Sequence, residues 1–245
     1  MTTRLLPTSI LMLLSAIFPL AITGCKDEHA ADKQAIQVVW ENYDRANVEK
    51  DGNTAAGLFT KNTIAHYDKV LKLGLNAKLA ECQSLPPHQW AEVVMMRNRG
   101  KRSMLGLLNG HGYIVFATQQ GWYADSGGQL SLKKIKVTGD SANGVLYDKE
   151  LEEAYRQSQW QRALAGRRSR YLFGSRMEKP PEYPVAFARE NGQWRLDETS
   201  LYPTFDAMWK EAARWEGMSV HEYIIEDESA DSGKEITKKI YEPMQ

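Results

Sequence analysis

The stretch that most restricts the fold runs from Tyr183 to Thr199. Asn191-Gly192 is a pair that accepts positive φ at both central positions of a tight hairpin turn. With a two-residue turn there, Glu190 faces Gln193, Arg189 faces Trp194 and Phe187 faces Leu196. Tyr183, Val185, Phe187, Trp194 and Leu196 then share one side of the strand pair, and that side has to be covered. A second hairpin is expected upstream, with Leu130 to Val137 and Ala142 to Tyr147 joined through Gly139-Asp140.

The segments before these strands read as helices. Ile36, Val39, Trp40, Tyr43 and Asn47 recur at three- and four-residue spacing, and Lys50-Asp51-Gly52-Asn53 stops the run. Thr54 to Phe59 is a short helical piece. Asn62 or Thr63 can cap a long helix reaching Gln83, with Ile64, Tyr67, Leu71, Leu75, Lys78, Leu79 and Cys82 on one side. Leu85-Pro86-Pro87 ends it, and the prolines suit the first turn of a helix carrying Trp90, Val93 and Val94. Met104 to Tyr123 fits helix or strand, and the spacing is read as a helix from Gly112 to Gln120. After the hairpins, Phe205, Met208, Trp209 and Ala212 predict a helix stopped by Gly217. Ser219 and Glu222 have capping-box spacing for a last short helix. Glu226 to Glu235 is acidic and poor in apolar residues, and is read as a loop. The expected class is therefore α+β, with N-terminal helices packed on a curved antiparallel sheet, a helical insertion and C-terminal helices.

Residues 1–24 stand apart from this pattern. Arg4 precedes an apolar run from Leu5 to Ile22, interrupted by Pro7 and Pro19, and small residues lead into Cys25. That order is a secretory signal peptide. The segment Ile22-Thr23-Gly24-Cys25 resembles the lipobox of bacterial lipoproteins. The resemblance implies lipidation of Cys25, which becomes the mature N-terminus, and a protein held at a membrane by its acyl chains. An ordinary cleaved signal or an uncleaved anchor is the alternative; Gly24-Cys25 argues against the first, and a run at the lower limit for a membrane span, interrupted by Pro7 and Pro19, against the second. Lys26 follows the cysteine where an aspartate would mark inner-membrane retention in the Gram-negative pattern. The location expected is thus the cell envelope, on the outer membrane facing the periplasm if the source is Gram-negative. A polar tether over residues 25–35 would join lipid to a single domain over residues 36–245.

The whole chain has 31 basic and 31 acidic side chains. The leader removes Arg4 and no acid, so the remainder has a formal charge of −1. Neutral balance with no basic half argues against nucleic acid as a partner. Of the two cysteines, Cys25 and Cys82, lipidation of the first leaves the second without an intramolecular partner.

Three stretches resemble the nuclear transport factor 2-like (ketosteroid-isomerase-like, cone-shaped) superfamily. They are Val38 to Tyr43 through Asp51 to Leu58-Phe59, then Asn62-Thr63-Ile64, then Phe187 through Asn191-Gly192 to Trp194-Arg195-Leu196-Asp197. The resemblance implies a cone-shaped domain enclosing a pocket. In the isomerase branch it implies a helix-1 tyrosine as oxyanion donor with a carboxylate base and a protonated acid. Tyr43 stands where that tyrosine would, and His66 and Tyr67 are further pocket candidates. Asp68 has nearly the separation of the base but falls in a helix, and Asp197 points away from the aromatic face. Tyr43 as a core residue of an amphipathic helix is the plainer reading.

Other catalytic signatures are missing. The five histidines form no ligand motif, and each reads as a surface or satisfied interior residue. Gly100-Lys101-Arg102-Ser103 looks like a phosphate loop only in part, with Met95 where the first glycine belongs. Residues 149–180 mix cations with aromatics, including Trp160 and the run from Arg167 to Phe173. They suit anionic headgroups or an acidic partner, or a solvated face paired with Glu150, Glu152 and Glu153. The expected function is a lipid-anchored, non-catalytic envelope protein binding a small apolar ligand or a partner protein, with no cofactor and no metal. A small-molecule enzyme with an acid/base pocket at Tyr43 is the alternative.

Overall fold

The computed structural model describes residues 28–123, 129–150 and 182–245. Helices α1 (Ala30–Glu49), α2 (Gly52–Gly57), α3 (Lys61–Asn76), α4 (Leu79–Cys82), α5 (Pro87–Arg99), α6 (Arg102–Leu105) and α7 (Gly110–Gln119) come first. Strands β1 (Leu130–Thr138), β2 (Ser141–Asp148), β3 (Glu182–Glu190) and β4 (Gln193–Asp197) follow, then α8 (Tyr202–Glu216) and α9 (Val220–Ser232). The strands form one open antiparallel sheet in chain order. The class is α+β.

The closing hairpin has the expected register, with Glu190 opposite Gln193, Arg189 opposite Trp194 and Phe187 opposite Leu196. Asn191 and Gly192 both take positive φ, 52° and 79°, as the turn requires. Tyr183, Val185, Phe187, Trp194 and Leu196 are all buried, and Ala142 and Leu146 of β2 extend the same face. In β1 the register slips between Lys133 and Lys136, where Lys134 has a φ of 54°. Such a bulge locally bends and twists the strand that carries it.

Helix α1 crosses the sheet and touches both edge strands, β1 and β4. It buries Ile36, Val39 and Trp40. Its first turn is fixed by Asp32, which accepts from Trp194 Nε1 at 3.0 Å and from Arg189. The Arg189 guanidinium lies 4.6 Å from the centre of the Trp194 indole, the geometry of a cation–π contact. This anchor is why the helix begins at Ala30 and not at Ile36. The polar tether expected over 25–35 must end before Ala30.

Three other expectations are corrected. The cap of α3 is Thr60, whose side chain accepts from Thr63 N at 3.2 Å, rather than Asn62 or Thr63. The long helix reaching Gln83 breaks at Ala77, which takes extended φ/ψ, and Leu79 is left 49% exposed. The carbonyls of Gly74 and Ala77 at the break accept from Arg97, which donates also to Leu73 O. A break that a distant guanidinium stabilises leaves no mark in local periodicity. Finally, the acidic loop over 226–235 is mostly helix, because α9 runs to Ser232. Arg99 of α5 pairs with Glu228 and Asp231, one turn apart on α9, so the acids there are ordered by an opposite charge. Ser219 and Glu222 form the capping box that starts this helix.

Helix α3 packs on both α7 and α5, and α8 and α9 pack on α5. Gly110 permits the first of these contacts, since a side chain there would run into the backbone of Ile64 and Asp68. Among the described residues Trp90, Tyr67, Tyr113, Phe187 and Ile36 are the largest fully buried side chains. Each contributes about 1.5–3 kcal/mol from burial. Among the described residues no helix is long and apolar enough to cross a membrane. The leader, Cys25 and residues 151–181, hence most of the 149–180 insertion, lie outside the described residues.

Candidate functional site

A file of aromatic rings runs through the interior from α1 to the turn after α7. Trp40 and Tyr43 lie 5.6 Å apart between ring centres, Tyr43 and Phe59 5.2 Å, and Phe59 and Tyr67 6.5 Å. Tyr67 and Tyr113 lie 5.6 Å apart, and Tyr113 and Trp122 6.1 Å. Two carboxyl groups are set along this file.

The first is Glu198. It belongs to a 3₁₀ turn, Glu198–Leu201, that Asp197 starts by accepting from Thr199 N. Strand β4 ends at Asp197 for this reason, two residues before the expected Thr199. Tyr67 donates to Glu198 Oε2 at 2.8 Å and Tyr43 to Oε1 at 3.4 Å. Burial raises the Glu198 carboxyl to about 7, against the pull of these two hydrogen bonds. Thr63 Oγ1 accepts from the Glu198 amide at 3.0 Å and holds the turn against α3.

The second is Glu92, on α5. Tyr113 and Tyr123 donate to its Oε2 at 3.1 and 3.3 Å. Burial, and next the negative charge of Glu198, push this carboxyl up to about 8. Burial also keeps Tyr43, Tyr67, Tyr113 and Tyr123 well above the usual phenol range, so all four remain protonated donors.

Glu92 reaches a cleft of about 370 Å³ where the sheet meets the C-terminal helices. Leu130, Leu146 and Tyr183 form its sheet wall, and Asp148 lies at the end of β2. Phe205, Met208 and Trp209 come from α8, and Ile224, Asp227, Glu228 and Asp231 from α9. Ala91, Glu92, Met95 and Arg99 of α5 make the floor, with Trp122 and Tyr123 beside them. The surface is mainly apolar and aromatic, with a few polar groups, as small-molecule sites generally are.

Of the pocket candidates read from sequence, Tyr43 and Tyr67 meet at Glu198, but neither lines this cleft. His66 sits outside both carboxyl clusters, with ring centres 4.5 Å from Tyr202 and 5.6 Å from His88. Burial, with His88 and Lys69 nearby, lowers it to about 4. Among the described residues its Nε2 and that of His221 are buried with no hydrogen-bond partner, so these two nitrogens are not satisfied as expected. His88 is bonded through Nδ1 to Asp206 at 3.0 Å. Asp68 accepts from Gly110 N at 2.5 Å and so serves the start of α7.

The partial phosphate-loop motif is occupied by structure. Arg102 donates to the carbonyls of Leu75 and Met244 and to Asn76 Oδ1. Cys82 is fully buried, and burial raises its thiol. No group of three or more histidine, cysteine, aspartate or glutamate side chains capable of holding a metal ion occurs among the described residues.

Sequence reasoning missed both glutamates. Glu198 has the parity of Trp194 and Leu196, so continuing the strand alternation by one step places it on the aromatic face. That signal was available. Glu92 has none, since it faces a layer of helices that only the tertiary fold brings to α5. Set against known protein families, curated proteins and solved structures, the chain matches none.

Proposed function

We propose that the protein is a lipid-anchored component of a bacterial cell envelope, tethered through Cys25, whose domain binds a small apolar ligand. The cleft beside Glu92 carries this reading: about 370 Å³ bounded by the sheet, α5, α8 and α9, with aromatic and methionine side chains on most of its surface. The cone-shaped, nuclear transport factor 2-like architecture is part of the proposal. Helices that precede an antiparallel sheet, and a last hairpin opening on Gly192-Gln193-Trp194, support it.

An acid/base enzyme is the second reading. The hydrogen bonds of Tyr43 and Tyr67 to Glu198, a carboxyl held near 7, favour it. It ranks second because this set is not among the residues that line the cleft.

Titration with the neutral fluorophore N-phenyl-1-naphthylamine tests the binding function. Saturable binding that quenches tryptophan emission is expected, and Ala91→Phe, which fills the cleft floor, should abolish it while the thermal transition persists. Absence of saturable binding, or equal binding by the filled variant, would refute the proposal. For the anchor, mass spectrometry of the mature N-terminus should find acylated Cys25, and Cys25→Ser should release the protein from membranes. An unmodified Cys25 would end that part.

A further inference from the structure

We infer that the cleft takes an organic cation, an ammonium group carried on an apolar body, with Glu92 as its counter-charge. The inference rests on the cleft being a binding site, as proposed above.

Glu92 lines the cleft, and its two hydrogen-bond donors are the phenols of Tyr113 and Tyr123. Phenols stabilise a carboxylate without neutralising it. The other charges that reach Glu92 are those of Glu198 and Glu228, both negative. Among the described residues Arg99 is the sole basic side chain lining the cleft. It is already engaged: Nε and Nη2 donate to the two Glu228 oxygens at 2.7 and 2.6 Å, and Nη2 donates also to Asp231. An anionic ligand would therefore meet a committed guanidinium and five carboxyl groups, those of Glu92, Asp148, Asp227, Glu228 and Asp231. A cation meets the reverse. It gains the Glu92 carboxylate, and the rings of Trp122, Tyr123 and Trp209 offer π surface to a positive group. Its apolar body would replace water against Met95 and Met208.

A ligand of this kind also resolves the cost of Glu92. A carboxyl in such surroundings keeps its proton to about 8. A fixed cation beside it favours the ionised form and displaces that proton.

The test compares phenyltrimethylammonium with tert-butylbenzene, its uncharged carbon isostere, by ligand-observed NMR on the purified protein. The cation is expected to bind about tenfold more tightly, in the range of a desolvated cation–π contact with a nearby carboxylate. Glu92→Gln, which keeps the shape and the phenol contacts, should bring the two affinities together. Should tert-butylbenzene bind as well as the cation, or should Glu92→Gln keep the preference, the charge inference is wrong while the cleft remains a binding site. If neither compound binds, both readings fail. Calorimetry of the wild-type protein adds a readout that needs no variant. The quaternary ammonium cannot titrate, so binding near neutral pH should release a proton, seen as an enthalpy that changes with buffer ionisation heat. Buffer-independent enthalpy would overturn the assignment of Glu92.

Discussion

Tyr67 and Glu198 stand 131 residues apart in the chain and are joined by a hydrogen bond of 2.8 Å in the interior. The bond ties the middle of α3 to the turn between β4 and α8, so a polar contact joins the helical layer to the end of the sheet inside an aromatic core. Tyr67 is only 2% exposed, and its loss would leave Glu198 with the longer 3.4 Å contact from Tyr43.

Tyr67→Phe is accordingly expected to cost about 1–3 kcal/mol, the penalty for leaving a buried acceptor short of a donor. For a chain of this size that lowers the thermal midpoint by roughly 2–4 °C per kcal/mol. Tyr43→Phe should cost less, because a 3.4 Å contact is near the limit of a hydrogen bond. Thermal melts of the two variants decide it. Equal effects would show that the bond length misrepresents the network.

How far the sequence foretold this arrangement depends on the range of the interactions. The hairpin at Asn191-Gly192 was readable because turn chemistry and strand alternation act over a few residues, and its register follows from them. Tyr43 and Tyr67, two of the pocket candidates, converge on one buried carboxyl and not on the cleft. Their shared partner, Glu198, lies one alternation step beyond Leu196, past the point where Asp197 caps the turn and ends the strand. The helical state of 226–232 was hidden for a different reason. Its acidic composition looks unstructured by itself, and only Arg99, far away in sequence, makes it a favourable helix. Local pattern reports periodicity and caps. It does not report a charge that arrives from another element.

The two raised carboxyls set a pH dependence of known sign. Glu92, at about 8, and Glu198, at about 7, keep protons that the unfolded chain has released above its ordinary carboxylate pKa near 4.5. Through these two groups the folded state binds more protons than the unfolded one, so their contribution to stability falls as pH rises from about 4.5 and levels off above about 8. His66, lowered to about 4, acts in the opposite sense only up to its ordinary value of 6.5. Each pH unit by which such a carboxyl is raised is worth up to about 1.4 kcal/mol. Thermal midpoints should therefore be higher at pH 5 than at pH 9, and Glu92→Gln should reduce the difference. A midpoint that rises over this interval, or an unchanged slope in Glu92→Gln, would contradict the burial of Glu92.

The pairing of Arg99 with Glu228 makes an asymmetric prediction. The Glu228 side chain is 9% exposed and accepts from Arg99 and from Asn98 Nδ2 at 2.7 Å. Arg99→Met would strand a nearly buried carboxylate, at a cost of about 3–5 kcal/mol. The double variant Arg99→Met with Glu228→Gln should recover much of that, since neither charge then remains. Denaturant unfolding gives the four corners of the cycle. Additive losses would mean that the two side chains act independently.

Arg97 is where the C-terminal segment is locked to the helical layer. Its Nε donates to Gly74 O at 2.8 Å, and Nη2 to Ala77 O at 2.6 Å and Leu73 O at 3.2 Å. Its Nη1 donates to Ile240 O at 2.8 Å and lies 3.4 Å from Cys82 Sγ. One planar fork thus caps α3, braces α4 and holds the 3₁₀ turn Lys238–Tyr241. Lysine has the charge but a single donor centre, so it cannot reach these carbonyls together. Arg97→Lys should therefore behave much like Arg97→Ala, each losing about 2–4 kcal/mol as buried carbonyls go unpaired. Loosening should also be local. Limited proteolysis is expected to release peptides from 234–245 before the core is cut, and the Cys82 thiol, fully buried in the native chain, should react with a disulfide reagent in the variants well before global unfolding. Protection of both sites in Arg97→Lys would show that charge alone secures the segment, and the fork geometry would lose its role.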